Sequence, residues 1–193
     1  MIFRKGGKRV FNEREKALRQ KSAYFYEERN IWFSDLWEIT GTNQSIKGKC
    51  ARSRNASFPV EIPYRLVNMY SIYGDTVLDP FAGLGTTNIA CMLSNRNSVG
   101  VDIDDSIVAL AMENMNISIN DANKYIQSRI SKHLDFIDSI EETPYVNTSH
   151  GFRVKTKQEI AIELQRIISI QHKDNVVTCK YGMVSLINKK RLF

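Results

Sequence analysis

Adjacent prolines are missing from this chain: its four, Pro59, Pro63, Pro80 and Pro144, each stand alone. Cysteine is equally scarce. Cys50, Cys91 and Cys179 are odd in number and far apart, which excludes a disulfide framework and paired C-x-x-C zinc knuckles. The three histidines, His133, His150 and His172, have no local ligand spacing and no G-x-S-x-G partner, so neither a metal centre nor a nucleophile triad is expected. No apolar run approaches the roughly 20 residues that cross a bilayer. The basic start, Arg4, Lys5, Lys8 and Arg9, leads into polar sequence rather than the apolar stretch of an export signal. A reducing, cytoplasmic setting with no membrane partner is expected.

What is present is a chain of 193 residues, 42% hydrophobic and 25% charged, the size of one ordinary globular domain. Its net charge of +6 is unevenly laid out. Residues 1–65 carry 14 Lys/Arg against 7 Asp/Glu, residues 66–150 carry 4 against 11, and residues 151–193 carry 9 against 3. Two basic flanks enclose an acidic middle. Such flanks suit a polyanion and such a middle suits a ligand with hydroxyls, although solvated faces also cluster by sign without any partner.

Helix is expected over Asn12 to Gln20. The aromatic run through Trp32, Phe33 and Trp37 alternates from Ile31 to Ile39 as an extended segment would. Core packing is the expected use of those rings. Gly41 to Asn55 reads as a polar, basic loop, and Lys47, Lys49, Arg52 and Arg54 make it the best candidate for a nucleic-acid contact. A helix follows Pro63, a short apolar strand covers Thr76 to Leu78, a helix Asn88 to Leu93, a strand Ser98 to Val101, and a helix Ser106 to about Ile119. Farther on, helix is expected to Ile140 and again over Gln158 to Ile168, then a strand over Val176 to Cys179. The corresponding division is a basic, aromatic segment (1–55), a β-α-β core (56–122) and a mainly helical basic extension (123–193).

Asp79-Pro-Phe-Ala-Gly-Leu-Gly-Thr-Thr87 lies directly after a strand and before a helix. Gly83 and Gly85 let the backbone turn tightly and approach a ligand, and the helix start presents N–H donors. Asp102, at the end of the next strand, is placed for both hydroxyls of a ribose. Asn88 occupies the place of the third glycine of the dinucleotide fingerprint, and no phosphate-binding G-x-x-x-x-G-K-[ST] exists. These features favour a nucleoside poor in phosphate over NAD or ATP; a merely structural turn is the alternative.

Four segments in order, Asp35-Leu-Trp-Glu-Ile39, Phe58-Pro-Val-Glu-Ile-Pro63, Asp79 to Thr87 and Val99-Gly-Val-Asp-Ile-Asp104, resemble the C-terminal half of the permuted, β-group DNA amino-methyltransferases, which modify cytosine N4 or adenine N6. The resemblance covers about residues 30–120. It implies a partial, Rossmann-like S-adenosylmethionine-dependent α/β fold with an incomplete parallel sheet. It also implies that Asp79, Phe81, Gly83, Gly85 and Thr86 surround the methionine end of S-adenosylmethionine, that Asp102 holds the ribose, and that Ile103 flanks the adenine. Phe58, Pro59 and Glu61 would close the pocket from the preceding helix. Double-stranded DNA is the implied substrate, with cytosine N4 favoured by the wording of the first two segments, and a restriction-modification system is the implied setting.

The family's catalytic Asp/Ser/Asn-Pro-Pro-aromatic tetrapeptide is absent, and the 34 residues before Asp35 do not hold the half-sheet that carries it. An exocyclic amine is a poor nucleophile that needs acceptors for its hydrogens and an aromatic stack at the flipped base. No residue here is assigned those roles. A second chain supplying the tetrapeptide is expected; a non-catalytic binding module and a methyltransferase acting on RNA or protein remain alternatives.

Overall fold

The structure, a computed structural model, describes Phe3, residues 5–40 and residues 58–185. The basic loop, with Lys47, Lys49, Arg52 and Arg54, lies outside the described residues. Helix α1 (Glu13–Lys21) starts where expected, because Asn12 and Glu15 form a reciprocal capping box. The chain then departs from the expected extended segment. Tyr26–Trp32 forms α2, whose last residue is buried against Tyr64 and Ala90. That burial fixes a helical turn where aromatic alternation implied a strand, and residues 33–40 form neither helix nor strand.

Helix α3 (Glu61–Tyr70), β1 (Thr76–Asp79), α4 (Thr86–Leu93), β2 (Asn97–Gly100) and α5 (Asp105–Asn114) form the expected β-α-β-α unit. β1 and β2 pair in parallel, with Thr76 opposite Asn97 and Asp79 opposite Gly100. Among the described residues this sheet has only these two strands. Its base is pinned by Arg96, a buried guanidinium that donates to the carbonyls of Ser94 (2.6 Å) and Ser71 (2.8 Å) and lies over Tyr73. Burial with no carboxylate in hydrogen-bond contact pulls its pKa down to about 10.

Ser118 caps α6 (Ile119–Ser139), which passes through the expected boundary at 122 without a break. Arg129, in the middle of α6, is held by Glu28 of α2 (Nε to Oε1, 2.5 Å) and donates to the carbonyl of Ala23 (3.1 Å). Two short strands follow, β3 (Tyr145–Val146) antiparallel to β4 (Arg153–Val154). The helix expected over Gln158 to Ile168 is not formed. A single 3-10 turn (Lys157–Glu159) leads instead into β5 (Gln165–Lys173), which pairs antiparallel with β6 (Val176–Met183). The register shifts between Ile167 and Ser169, so Ile168 is an extra residue that spoils strict alternation. Beyond α6 the extension is therefore stranded rather than mainly helical. Asn123 of α6 ties the hairpin down, since its amide donates to the Ile167 carbonyl and accepts from the Ile167 N–H, both at 2.9 Å.

The largest buried cluster joins α2, α6 and the chain around β4 and β5: Phe25, Ile126, Ile130, Phe152, Val154, Ile162, Leu164 and Val184. It lies beside the β-α-β unit. Ala23 and Phe25 share this core with α6 and with residues 145–184. No helix among the described residues is long and apolar enough to cross a membrane.

Candidate functional site

The glycine loop runs from the carboxyl end of β1 into α4, and its shape follows from short-range hydrogen bonds. Asp79 accepts from the Phe81 N–H (3.1 Å), and the Ala82 N–H donates to the Val101 carbonyl (2.9 Å), which ties the loop across to the end of β2. Gly83 and Gly85 both have left-handed φ, +50° and +74°. A Cβ on Gly85 would meet that of Ala111 at 3.2 Å, whereas one on Gly83 would meet nothing within 4 Å. The two glycines thus serve different ends: Gly85 lets α5 pack against the start of α4, and Gly83 leaves open space over the loop. Gly100 is a third close approach, since a Cβ there would lie 2.7 Å from the Asn88 side chain. Asn88, where the dinucleotide fingerprint has glycine, donates instead to Ser98 of β2 (3.0 Å).

Asp102 stands at the strand end where expected, and it is wired to the loop. Its Oδ2 accepts from the Gly83 N–H (3.0 Å) and its Oδ1 from the Asp104 N–H (3.1 Å). A carboxylate offers about four lone-pair sites, so each oxygen retains capacity for a ligand hydroxyl. Asp104 caps α5 by accepting from the Ser106 N–H (2.9 Å). Thr86 is buried in the first turn of α4.

The loop brings Asp79, Phe81, Gly83, Gly85, Thr86, Asp102 and Ile103 together at the carboxyl ends of two parallel strands. Phe81 and Ile103 are 87% and 102% exposed, so they form an open wall. Leu78, Val99 and Val101 continue this exposed apolar surface. Phe58, Pro59 and Glu61 sit at the entrance to α3, and Glu61 takes Arg65 (2.7 Å), which in turn lies over Trp37. A cavity of about 630 Å³ lies on the α5 side, lined by Gly83, Asp102, Ala111 and Met115 and, from the hairpin, Val177 and Tyr181. Of the ten expected cofactor residues only Gly83 and Asp102 line it. The cavity therefore adjoins the loop without coinciding with the expected site, and its hairpin wall went unforeseen because β6 lies some 75 residues away in sequence from β2.

A strand, a glycine loop, a helix and a second parallel strand ending in a carboxylate define an α/β protein of the nucleotide-binding, Rossmann-like kind, here with a partial sheet. The chain belongs to the DNA methylase family (N6_N4_Mtase), whose model matches residues 1–113. It is 45% identical over 166 residues to the type II methyltransferase M.MthZI of Methanothermobacter thermautotrophicus, a match covering 85% of this chain and 46% of that protein. It is 51% identical over 117 residues to the type II methyltransferase M.MjaI of Methanocaldococcus jannaschii, covering 61% of this chain and 38% of that protein. Among solved structures it is similar to TTHA0409, a DNA modification methylase from Thermus thermophilus complexed with S-adenosyl-L-methionine, at 34% identity and a TM-score of 0.44 over 57% of this chain and 38% of that one. The chain thus spans less than half the length of these two curated relatives.

Proposed function

We propose that this chain is the S-adenosylmethionine-binding part of a site-specific DNA methyltransferase that acts on an exocyclic amino group, cytosine N4 rather than adenine N6, in a restriction-modification system. The observation that carries the reading is the Gly83–Asp102 hydrogen bond, which sets a glycine with open space above it beside a carboxylate at two parallel strand ends. Family membership and relatives that are type II methyltransferases support it. The residues fit the group: Asp102 accepts the ribose hydroxyls, Ile103 and Phe81 offer apolar surface to the adenine side, and Asp79 and Thr86 face the amino-acid end. The bound cofactor supplies the methyl group. This chain's task is to hold and orient it.

Catalysis then falls to a Pro-Pro-bearing half on a second polypeptide, the role for which no residue here is suited. The exposed apolar surface at Leu78, Val99, Val101, Phe81 and Ile103 supports that part of the reading, because such a sheet edge and face are stable when covered. DNA is held through the basic loop, with Lys47, Lys49, Arg52 and Arg54 on phosphates.

Calorimetry with the purified chain tests cofactor binding. S-adenosylmethionine and S-adenosylhomocysteine should bind and NAD should not. Asp102→Ala should lose two charge-assisted hydrogen bonds, on the order of 1.5–3 kcal/mol or roughly 10- to 100-fold in affinity. A melting curve run beside it separates ligand loss from loop collapse, since the same substitution frees the Gly83 and Asp104 N–H groups. Unchanged affinity would refute the ribose assignment. Tritiated methyl transfer to mixed-sequence DNA should be at background for the lone chain and appear with a tetrapeptide-bearing chain. Robust transfer by the lone chain would overturn the two-chain reading.

A further inference from the structure

Away from the glycine loop, three ionisable side chains from distant parts of the sequence meet in the interior. Glu27 stands on α2, His133 on α6 and Glu159 at the end of the 3-10 turn, and one ligand-capable atom of each lies within 4.8 Å of the others. His133 and Glu159 are each 1% exposed. Phe25 stacks on the imidazole at 3.8 Å between ring centres, and Phe152 closes a second side.

Hydrogen bonding here does not close with protein atoms alone. His133 Nε2 faces the Arg153 carbonyl oxygen (3.2 Å) and Nδ1 faces Glu27 Oε1 (2.8 Å), so both ring nitrogens meet acceptors. A neutral imidazole has one proton for the two. Either a second proton, on the ring or on the Glu27 carboxyl, or a cation must therefore sit between Nδ1 and Glu27. The other Glu27 oxygen distinguishes these cases. Oε2 is buried with no hydrogen-bond partner among the described residues, and a proton on Nδ1 serves only Oε1.

Charge balance points the same way. Arg129 is spent on Glu28. Among the described residues Glu159 accepts only from neutral donors, the N–H groups of Tyr26 (2.9 Å) and Thr156 (2.6 Å) and the Thr156 hydroxyl (2.7 Å). Glu27 and Glu159 with a neutral histidine leave two negative charges in the interior. An imidazolium cancels one of them, and a divalent cation cancels both.

We propose that Glu27, His133 and Glu159 bind a divalent transition-metal cation, zinc being the best match, as a clasp joining α2, α6 and the 3-10 turn. One imidazole and two carboxylates are a ligand set zinc accepts. Nδ1 is the ligand atom, and Nε2–H donates to the Arg153 carbonyl, the kind of outer contact that orients metal-binding histidines. Ligand atoms at about 2.1 Å from zinc stand about 3.4 Å apart, so Glu159 moves in by up to roughly an ångström while His133 Nδ1 and Glu27 Oε1, now 2.8 Å apart, spread by about half that. The Glu159 oxygens keep lone pairs beyond the hydrogen bonds they accept. Burial shuts out substrate, so the ion's role is to hold the fold.

The whole chain, stripped with EDTA, is titrated with Zn²⁺ by calorimetry and with Co²⁺ by visible absorption. One equivalent of each should bind, cobalt with visible d–d absorption absent from the aqueous ion at that concentration, and Zn²⁺ should raise the melting temperature. Glu27→Gln and His133→Gln should each weaken zinc binding at least tenfold, while Asp138→Asn, an exposed carboxylate nearby on α6, should not. If those two variants fail to fold, the cobalt form of the unaltered chain decides: a paramagnetically shifted imidazole N–H proton supports the site, and its absence refutes it. No uptake by the stripped chain, or uptake that both folded variants retain, overturns the proposal. A protonated His133–Glu27 pair would then be the reading, recognised by stability that ignores EDTA. None of these readouts uses S-adenosylmethionine or DNA, so the result is independent of the proposed function.

Discussion

Replacing Gly85 and Gly83 one at a time with alanine separates packing from ligand access. At Gly85 two costs add. A left-handed backbone disfavours any Cβ by about 1–2 kcal/mol, and the new methyl meets the Ala111 Cβ at 3.2 Å and its backbone at 3.7 Å. Ala111 is buried in α5 and has no flexible end to swing aside, so the helix itself must shift, an overpacking cost of about 1–3 kcal/mol. The total is about 2–5 kcal/mol, which for a chain of this length lowers the melting temperature by roughly 4–20 °C. At Gly83 the φ is also positive, but nothing lies within 4 Å, so only the backbone cost of about 1–2 kcal/mol applies, or roughly 2–8 °C. Gly83→Ala should nevertheless weaken S-adenosylmethionine binding, because the methyl fills the space a ligand needs. Thermal melts followed by circular dichroism give the stability arm, calorimetry the binding arm. Adding Ala111→Gly to Gly85→Ala should recover the contact cost as a favourable coupling of about 1 kcal/mol or more. If the two single variants melt within a degree of each other and the double variant shows no coupling, the packing argument is wrong.

Two further outcomes are expected. His150 accepts from the Leu164 N–H at Nε2 (2.8 Å) and has Nδ1 3.0 Å from the Val184 carbonyl, which fixes a neutral tautomer, and burial holds its pKa below the ordinary value of 6.5. The unfolded chain therefore binds a proton first. The stability contributed by this group is full above pH 6.5 and is lost as pH falls through the folded value. Urea denaturation from about pH 7.5 down to about 5.5 should show the decline, and His150→Gln should flatten it; a slope the variant leaves unchanged would rule it out. If Lys47, Lys49, Arg52 and Arg54 each neutralise one phosphate, the log–log salt slope of duplex DNA binding should be about −3.6 from this loop alone, and replacing all four with alanine should remove nearly that much. DNA binding indifferent to salt would count against the loop.

The β-α-β unit was legible because its signals are local. A short apolar run ending at Asp79, two glycines with distinct backbone demands and a second run ending at Asp102 all fall within 30 residues. The second strand of the hairpin began where expected, at Val176, but the first was misread for an identifiable reason. Leu164, Ile167 and Ile168 fall at spacings of three and four, as on a helix face, because the extra residue at Ile168 breaks the two-residue period of β5. Residues 31–39 failed differently. Trp32 belongs to α2 because Tyr64 and Ala90, far along the chain, bury it, and alternation carries no information about that. The Glu27, His133 and Glu159 cluster was invisible for the same reason, since its members are 106 and 26 residues apart and no short-range ligand spacing marks them.

The core that Ala23 and Phe25 share with residues 126–184 bears on how the molecule is made. Phe25 is fully buried in a cluster with Ile130, Phe152 and Leu164 and stacks on His133, and the Tyr26 N–H finds its acceptor 133 residues later in Glu159. At about 5–20 residues per second, a ribosome takes roughly 7–28 s to travel from Phe25 to Leu164. Throughout that interval Phe25, at the head of α2, lacks its partners, while the β-α-β unit emerges in between, folds on local contacts and takes Trp32 against Tyr64 and Ala90. The nascent chain thus carries a waiting segment, and contacts of such long sequence separation slow the final collapse. Slowing translation near residue 150 should therefore lengthen the exposure of Phe25, making aggregation during synthesis, rather than the stability of the finished molecule, the quantity most sensitive to codon choice in the last third of the gene.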